Sequence, residues 1–180
     1  MERERTRFDH TLWLVGMMGA GKSAVGPRLA ERLHCPYHDT DAIVEAQEGR
    51  PVAEIFAERG ESAFRAHERE AWQRLAGQPA VVSLGGGAVA EPGAAQALAE
   101  SGTVVYLRAR IETLMSRLGA ARGRPLLAGL SAAERRRRLE KLLESREAHY
   151  ADAGITVDTD DRTPDEVAAA VEHALYEATS

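Results

Sequence analysis

Cysteine is nearly absent from this chain of 180 residues. Cys35 is the single example, so no disulfide can form within the chain, and a reducing, cytoplasmic setting is expected. Long hydrophobic runs are absent as well. No apolar stretch approaches the ~20 residues that a membrane helix needs, and no membrane partner is expected. The opening MERERTRFDH is charged and lacks the apolar core of a secretory leader, so export is not expected. Positive charge is not in excess: 23 Lys and Arg stand against 28 Asp and Glu, a net charge of −5. That balance gives no global reason to expect a nucleic-acid partner. Lysine itself is scarce. Only Lys22 and Lys141 are lysines, and every other basic residue counted there is arginine. What remains is ordinary for a globular protein, 44% hydrophobic and 28% charged, with length enough for one domain and a real core.

The chain alternates short apolar runs with longer amphipathic ones. Strands are expected at Leu12–Val15, from Cys35–Tyr37, at Ala80–Leu84, within Gly102–Leu107 and at Gly154–Val157. Helices are expected over 23–33, 61–75, 93–100, 111–118, 131–150 and 164–178. Such alternation predicts an α/β fold, a parallel sheet covered by helices on both faces, with ligands at the carboxyl ends of the strands. Two stretches fit it poorly. Residues 39–61 hold only small helical pieces, and Gly119–Leu130, rich in glycine and arginine, is expected to be a mobile substrate-capturing loop.

Gly16-Met17-Met18-Gly19-Ala20-Gly21-Lys22-Ser23 matches G-x-x-x-x-G-K-S between an expected strand and an expected helix. Its glycines let the backbone turn tightly and aim N–H groups at phosphate oxygens. The helix start adds its positive dipole end, Lys22 can reach the β- and γ-phosphates, and the Ser23 hydroxyl can ligate Mg²⁺. A plain glycine-rich turn is the alternative, and the strand–loop–helix setting disfavours it. The motif also gives the rare Lys22 a reason, since a compact ammonium suits a phosphate loop.

The acceptor of such a phosphoryl group must be read elsewhere. Asp39 and Asp41, in Asp39-Thr40-Asp41, place two carboxylates near a strand end, one suited to a metal and one to an attacking hydroxyl. Equally, Asp41 can cap a helix starting at Ala42. Arg65 and Glu68 sit at i, i+3 and can form a surface ion pair, or Arg65 can offer a bidentate fork to a substrate carboxylate with Glu68 orienting it. Gly85-Gly86-Gly87 ends the third expected strand, either as a tight turn or because something approaches the backbone closely.

Taken in order, G-x-x-G-x-G-K-S, D-T-D, G-E-x-x-F-R-x-x-E (Gly60–Glu68), G-G-G, R-P-L-L (Arg124–Leu127) and R-x-x-x-Y (Arg146–Tyr150) resemble the shikimate kinases. The resemblance runs from about Leu12 to about Pro164. It implies a three-layer, nucleoside-monophosphate-kinase-like fold with a five-stranded parallel sheet. The core would comprise 11–38, 77–118 and 131–180, with a substrate-binding region at 39–76 and a lid at 119–130. It implies transfer of the γ-phosphoryl of ATP to the 3-hydroxyl of shikimate. By the same resemblance Gly19, Ala20, Gly21, Lys22, Ser23 and Ala24 hold the ATP phosphates, and Ser23 ligates Mg²⁺ with Asp39 acting through water. Asp41 contacts the ring hydroxyls and is the candidate base. Arg65 and Arg146 clamp the carboxylate, and the Gly86 backbone touches the substrate. Arg124 reaches the phosphates, Arg162 and Pro164 lie toward adenine, and the enzyme is expected to be a monomer. Ala24 stands where relatives often carry threonine, and Tyr37 where they often carry phenylalanine. Residues 1–10 fall outside the resemblance and are expected to be a mobile tail.

Two other readings compete. A kinase of another small polyhydroxy acid, such as gluconate, would keep the phosphate loop but need not keep Arg65, Arg146 and the triple glycine together. A non-catalytic nucleotide-binding module would be expected to lose Lys22 or Asp41, and both are present.

Overall fold

The computed structural model describes residues 8–119 and 124–178. Five strands form one parallel sheet: β1 Thr11–Val15, β2 Tyr37–Asp39, β3 Ala80–Ser83, β4 Gly102–Arg108 and β5 Ile155–Asp158, in the order β2-β3-β1-β4-β5. Every residue of β1 and β3 is buried, so both faces of the sheet are covered and the fold is a three-layer sandwich. β5, on an edge, alternates buried and exposed positions. The helices are α1 Lys22–Leu33, α2 Thr40–Glu48, α3 Val52–Leu75, α4 Ala94–Ser101, α5 Ile111–Leu118, α6 Ala132–Ala151 and α7 Pro164–Ala178. α1 packs against α7 and β3, and α4 against β4. In the main core Trp13 of β1 meets Trp72 of α3 edge-on at 6.1 Å.

The order of the strands locates the crevice. The chain leaves β1 toward β2 on one side of the sheet and leaves β3 toward β4 on the other. The loops after β1 and β3 therefore flank the switch point, where ligands of such sheets bind. They carry the glycine-rich loop and the triple glycine.

Three expectations need correction. The second strand is Tyr37–Asp39, two residues later than expected, because Val81 and Ser83 of β3 pair with Tyr37 and Asp39. α3 starts at Val52 rather than Glu61. Its first half runs to a kink at Gly60 (φ 80°) and its second half continues to Leu75. The early turns form because Val52, Ile55 and Phe56 share a face that joins Val44 and Phe64 in a small second core. Finally, Asp39 and not Asp41 caps α2: its Oδ1 accepts from the backbone N–H of Asp41 (3.0 Å) and of Ala42 (3.4 Å).

Of the expected tail, residues 1–7 lie outside the described residues, while Phe8 packs on the core and His10 Nε2 meets Thr103 Oγ1 at 3.0 Å. Residues 120–123 of the expected lid also lie outside them. Among the described residues no helix is long and apolar enough to cross a membrane.

Gly26 marks a close approach inside α1. A Cβ there would lie 2.2 Å from the Tyr37 ring. Glycine-to-alanine in a helix ordinarily gains about 1 kcal/mol, whereas overpacking costs ~1–3 kcal/mol. Gly26→Ala is therefore expected to lower the melting temperature, and a raised Tm in thermal denaturation would contradict this packing.

Candidate active site

The loop after β1 turns on Gly19 and Gly21, whose positive φ values of 82° and 107° are costly for other residues. Ala20 is buried beneath it, its N–H donating to Met17 O at 3.1 Å. From below, Arg117 of α5 donates through Nη1 to Ala20 O (3.1 Å) and to Thr159 Oγ1 (2.9 Å), and through Nη2 to Thr159 O (2.6 Å). Lys22, at the start of α1, folds back so that Nζ donates to Gly16 O (2.6 Å) and Met17 O (3.0 Å). Burial lowers its pKa to about 8, although Asp41 and Asp39 favour the charge. The Ser23 hydroxyl donates to Asp39 Oδ2 at 3.2 Å.

Asp41 lies one residue into α2, with its Oδ1 buried and without a hydrogen-bond partner. Burial, then the negative charges of Glu68 and Asp39, push its pKa up to about 6, against the pull of Lys22 and Arg124.

The opposite wall is a buried ion pair under the triple glycine. Arg65 Nη1 donates to Glu68 Oε2 at 2.5 Å, and the two residues are 7% and 1% exposed. Glu68 Oε1 accepts from Gly85 N–H at 2.7 Å and lies 3.2 Å from the hydroxyl of Thr40, itself fully buried. Nη2 of Arg65 reaches Glu61 Oε1 at 3.3 Å. The space these groups occupy explains the glycines. A Cβ on Gly85 would lie 2.2 Å from Glu68 Oε1, and one on Gly87 would lie 2.5 Å from Arg65 Nη2 and 3.0 Å from Arg146 Nη2. Of the two readings of this turn, close approach is the one realised. Arg146 of α6 is 6% exposed, and its Nη1 is buried without a partner against Gly86. The Gly86 carbonyl accepts from the Tyr150 hydroxyl, whose ring stacks on Tyr106 at 4.9 Å.

Two adjoining cavities result. Gly19, Gly21, Lys22, Ser23, Ala24 and Asp39 line the first, a glycine-rich cradle at the start of α1. Val52, Phe56, Phe64, Arg65, Pro125 and Leu126 line the second, which pairs an apolar wall with a guanidinium. Met18, Asp41, Gly85, Gly86 and Arg124 border both. The two cavities thus meet with one carboxyl, that of Asp41, at their junction. Arg162 is exposed between β5 and α7 and lines neither cavity. The fold adds Thr40, Arg117 and Tyr150, which the sequence does not single out as site residues. Thr40 has a signal, lying between two site carboxylates. Arg117 has none, being one arginine among many until α5 meets the loop.

A family model described as shikimate kinase matches residues 18–176. A shikimate kinase of Chlorobium chlorochromatii is 43% identical over 155 residues, 83% of this chain and 82% of that protein. The structure of a shikimate kinase from Acinetobacter baumannii in complex with shikimate superposes with a TM-score of 0.89 at 30% identity, covering 96% of each chain. A gluconokinase from Sinorhizobium meliloti shares the fold at a TM-score of 0.56 and 22% identity, covering 97% of this chain and 99% of that one.

The raised pKa of Asp41 has a consequence for stability. Unfolded, the carboxyl ionises at about 3.9, whereas in the fold it ionises at about 6. The folded state holds the extra proton between those values, so stability falls as pH rises through that window, and the full penalty stands above it. Asp41→Asn removes the penalty. It is expected to raise stability at about pH 7.5 by on the order of 3 kcal/mol and to give almost no gain at about pH 4. Thermal unfolding at both pH values checks this, and an unchanged or lower Tm at the higher pH would refute it.

Proposed function

The chain belongs to the shikimate kinase family, ATP-dependent kinases, and on that premise we propose how its own residues bind shikimate and transfer the phosphoryl group. The observation that carries the reading is a pair of buried polar atoms without partners: Asp41 Oδ1, on the wall that the two cavities share, and Arg146 Nη1, against the Gly86 that borders both. A hydroxylated carboxylic acid satisfies both: its hydroxyl donates to Asp41, and its carboxylate accepts from Arg146 and Arg65. The Gly86 backbone then lies against the ring.

In this reading the ATP phosphates lie on Gly19–Ala24 at the N-terminus of α1. Lys22 exchanges its backbone carbonyls for phosphate oxygens, and the anion restores the charge that burial weakens. Arg124, at the junction, adds positive charge where the γ-phosphoryl moves. Arg162 is assigned to the nucleotide by the resemblance alone. Ser23 Oγ and Asp39 Oδ2 offer hard oxygen donors side by side at the cradle, which suits Mg²⁺ held partly by phosphates and water. The ion, when bound, neutralises charge on the phosphates. Among the described residues no cluster of three His, Cys, Asp or Glu could hold a metal ion alone, so the remaining ligands here fall to the nucleotide and water.

Asp41 Oδ1 accepts the proton of the 3-hydroxyl as its oxygen bonds to the γ-phosphorus and the bond to the β-phosphate oxygen breaks. Shikimate 3-phosphate, ADP and a proton result. The apolar wall of Phe56, Phe64 and Leu126 excludes water that would otherwise take the phosphoryl group. Region 39–76 serves as the substrate-binding part and 119–130 as the lid. We place the enzyme in the cytoplasm on its single cysteine, and as a monomer on the family resemblance alone.

Coupled measurement of ADP release tests the reading. Turnover is expected with shikimate and not with gluconate, and the reverse result from folded protein would overturn it. Arg146 is a cleaner probe of the carboxylate clamp than Arg65, whose removal leaves Glu68 buried and unpaired. Arg146→Ala is expected to raise KM for shikimate by about 30-fold or more while leaving KM for ATP within about twofold. An unchanged KM for shikimate would remove the clamp. With Asp41 ionising at about 6 in the free enzyme, kcat/KM for shikimate is expected to fall about tenfold per pH unit below that value. A flat profile down to about pH 5 would exclude Asp41 as the base.

A further inference from the structure

Asp39 is held at both of its carboxylate oxygens, by different parts of the fold. Oδ1 accepts from the N–H groups of Asp41 and Ala42 at the start of α2. Oδ2 faces the Ser23 hydroxyl at 3.2 Å and the Tyr37 hydroxyl at 3.3 Å. Tyr37 and Asp39 are two apart on β2, so both side chains leave the strand on the same face. What aims the phenol is α1: the ring lies where a Cβ of residue 26 would be, and only glycine leaves that space. The hydroxyl thereby also reaches Ser83 Oγ of β3 at 3.1 Å. A phenol has one proton and can also accept. With the Ser83 hydroxyl donating to the phenol oxygen, the phenol proton goes to Asp39 Oδ2.

We propose that Tyr37 is a positioning residue of the phosphoryl-transfer site, fixing Asp39 Oδ2 in the orientation from which it holds the water of the metal ion. The inference rests on the reading above that Ser23 and Asp39 serve Mg²⁺. The Ser23 hydroxyl can donate to Asp39 while its lone pair faces the cation, but alone it leaves Oδ2 tied only to a group that is itself a metal ligand. Tyr37 ties Oδ2 to the sheet instead. Partners of this kind orient metal-serving carboxylates and tune the ion's affinity.

The test is Mn²⁺ binding in the presence of saturating ADP, with free Mn²⁺ read by its paramagnetic resonance. It is applied to the intact wild type and to Tyr37→Phe, Asp39→Asn, the double variant and Ser83→Ala, with Tm recorded for each. Asp39→Asn is expected to weaken Mn²⁺ binding, and Tyr37→Phe to weaken it by about three- to tenfold. The double variant is expected to be no weaker than Asp39→Asn alone. Ser83→Ala, which leaves the phenol proton on Asp39, is expected to stay within about twofold of wild type. KM for shikimate should not move in Tyr37→Phe, whereas the Mg²⁺ concentration for half-maximal rate should rise by the same factor as the Mn²⁺ constant. If Asp39→Asn weakens binding and Tyr37→Phe does not, the positioning role is wrong and the metal reading stands. A Tyr37→Phe variant that only lowers Tm leads to the same conclusion. If Asp39→Asn leaves Mn²⁺ binding unchanged, the metal reading fails and the role of Tyr37 fails with it. If Tyr37→Phe costs as much in the Asp39→Asn background as in the wild type, the hydroxyl does not act through that carboxylate.

Discussion

The site is organised around the buried ion pair of Arg65 and Glu68. Two charges at 7% and 1% exposure lose their hydration, and their mutual attraction offsets that loss only when the remaining lone pairs and protons are also engaged. Glu68 takes the N–H of Gly85 and neighbours the Thr40 hydroxyl, while Arg65 reaches Glu61 with its second amino group. The pair thereby fastens α3, the start of α2 and the turn after β3 to one another. It also dictates composition at a distance: side chains at 85 and 87 would occupy the space of the carboxylate and the guanidinium. Such a pair is poor evidence for stability as such. Its worth lies in position, since it presents a guanidinium, already anchored, to a cavity beside the glycine-rich cradle.

Burial acts on the two central titratable groups in opposite senses. It lowers Lys22 to about 8 and raises Asp41 to about 6, so each is drawn toward its neutral form and both remain mostly charged near neutral pH. A site poised in this way responds to what enters it. An anionic phosphate strengthens the lysine's charge, and a bound cation offsets the repulsion that Glu68 and Asp39 exert on Asp41. The global charge of −5 says nothing about this cleft, because Lys22, Arg65, Arg124 and Arg146 converge on one corner of an acidic molecule. For nucleic acid the acidic surface still matters; for a small anion only the local field does.

Much of this is legible in local signals. The run Leu12–Val15 reads as a strand buried on both faces and is one, and the glycine-rich loop reads correctly because strand, loop and helix are contiguous. The triple glycine is legible as a close approach, though not what approaches, since Arg65 and Arg146 lie far from it along the chain. The failures share a cause. β2 begins at Tyr37 rather than Cys35 because pairing with β3 sets its register, and a three-residue strand has too little pattern to set its own. The first half of α3 is hidden because its apolar residues face a small separate core, and Gly60 interrupts the period just where a helix is expected to start. Arg117 cannot be found from sequence at all, because its function as a prop for the loop exists only once α5 and the segment after β5 are in place.

The scarcity of lysine has a physical reading at both ends. At 65 a guanidinium meets the carboxylate of Glu68, and arginine, which this chain uses almost everywhere, suits that pairing. At 22 the chain uses lysine. The Nζ of Lys22 folds back onto two carbonyls of its own loop, Gly16 O and Met17 O, and has a third proton to offer outward. That fold-back is made by a compact ammonium on a flexible stem, which differs in shape from the planar fork of an arginine. The position departs from the chain's habit, and the contact of Nζ with its own loop gives the exception a physical reason.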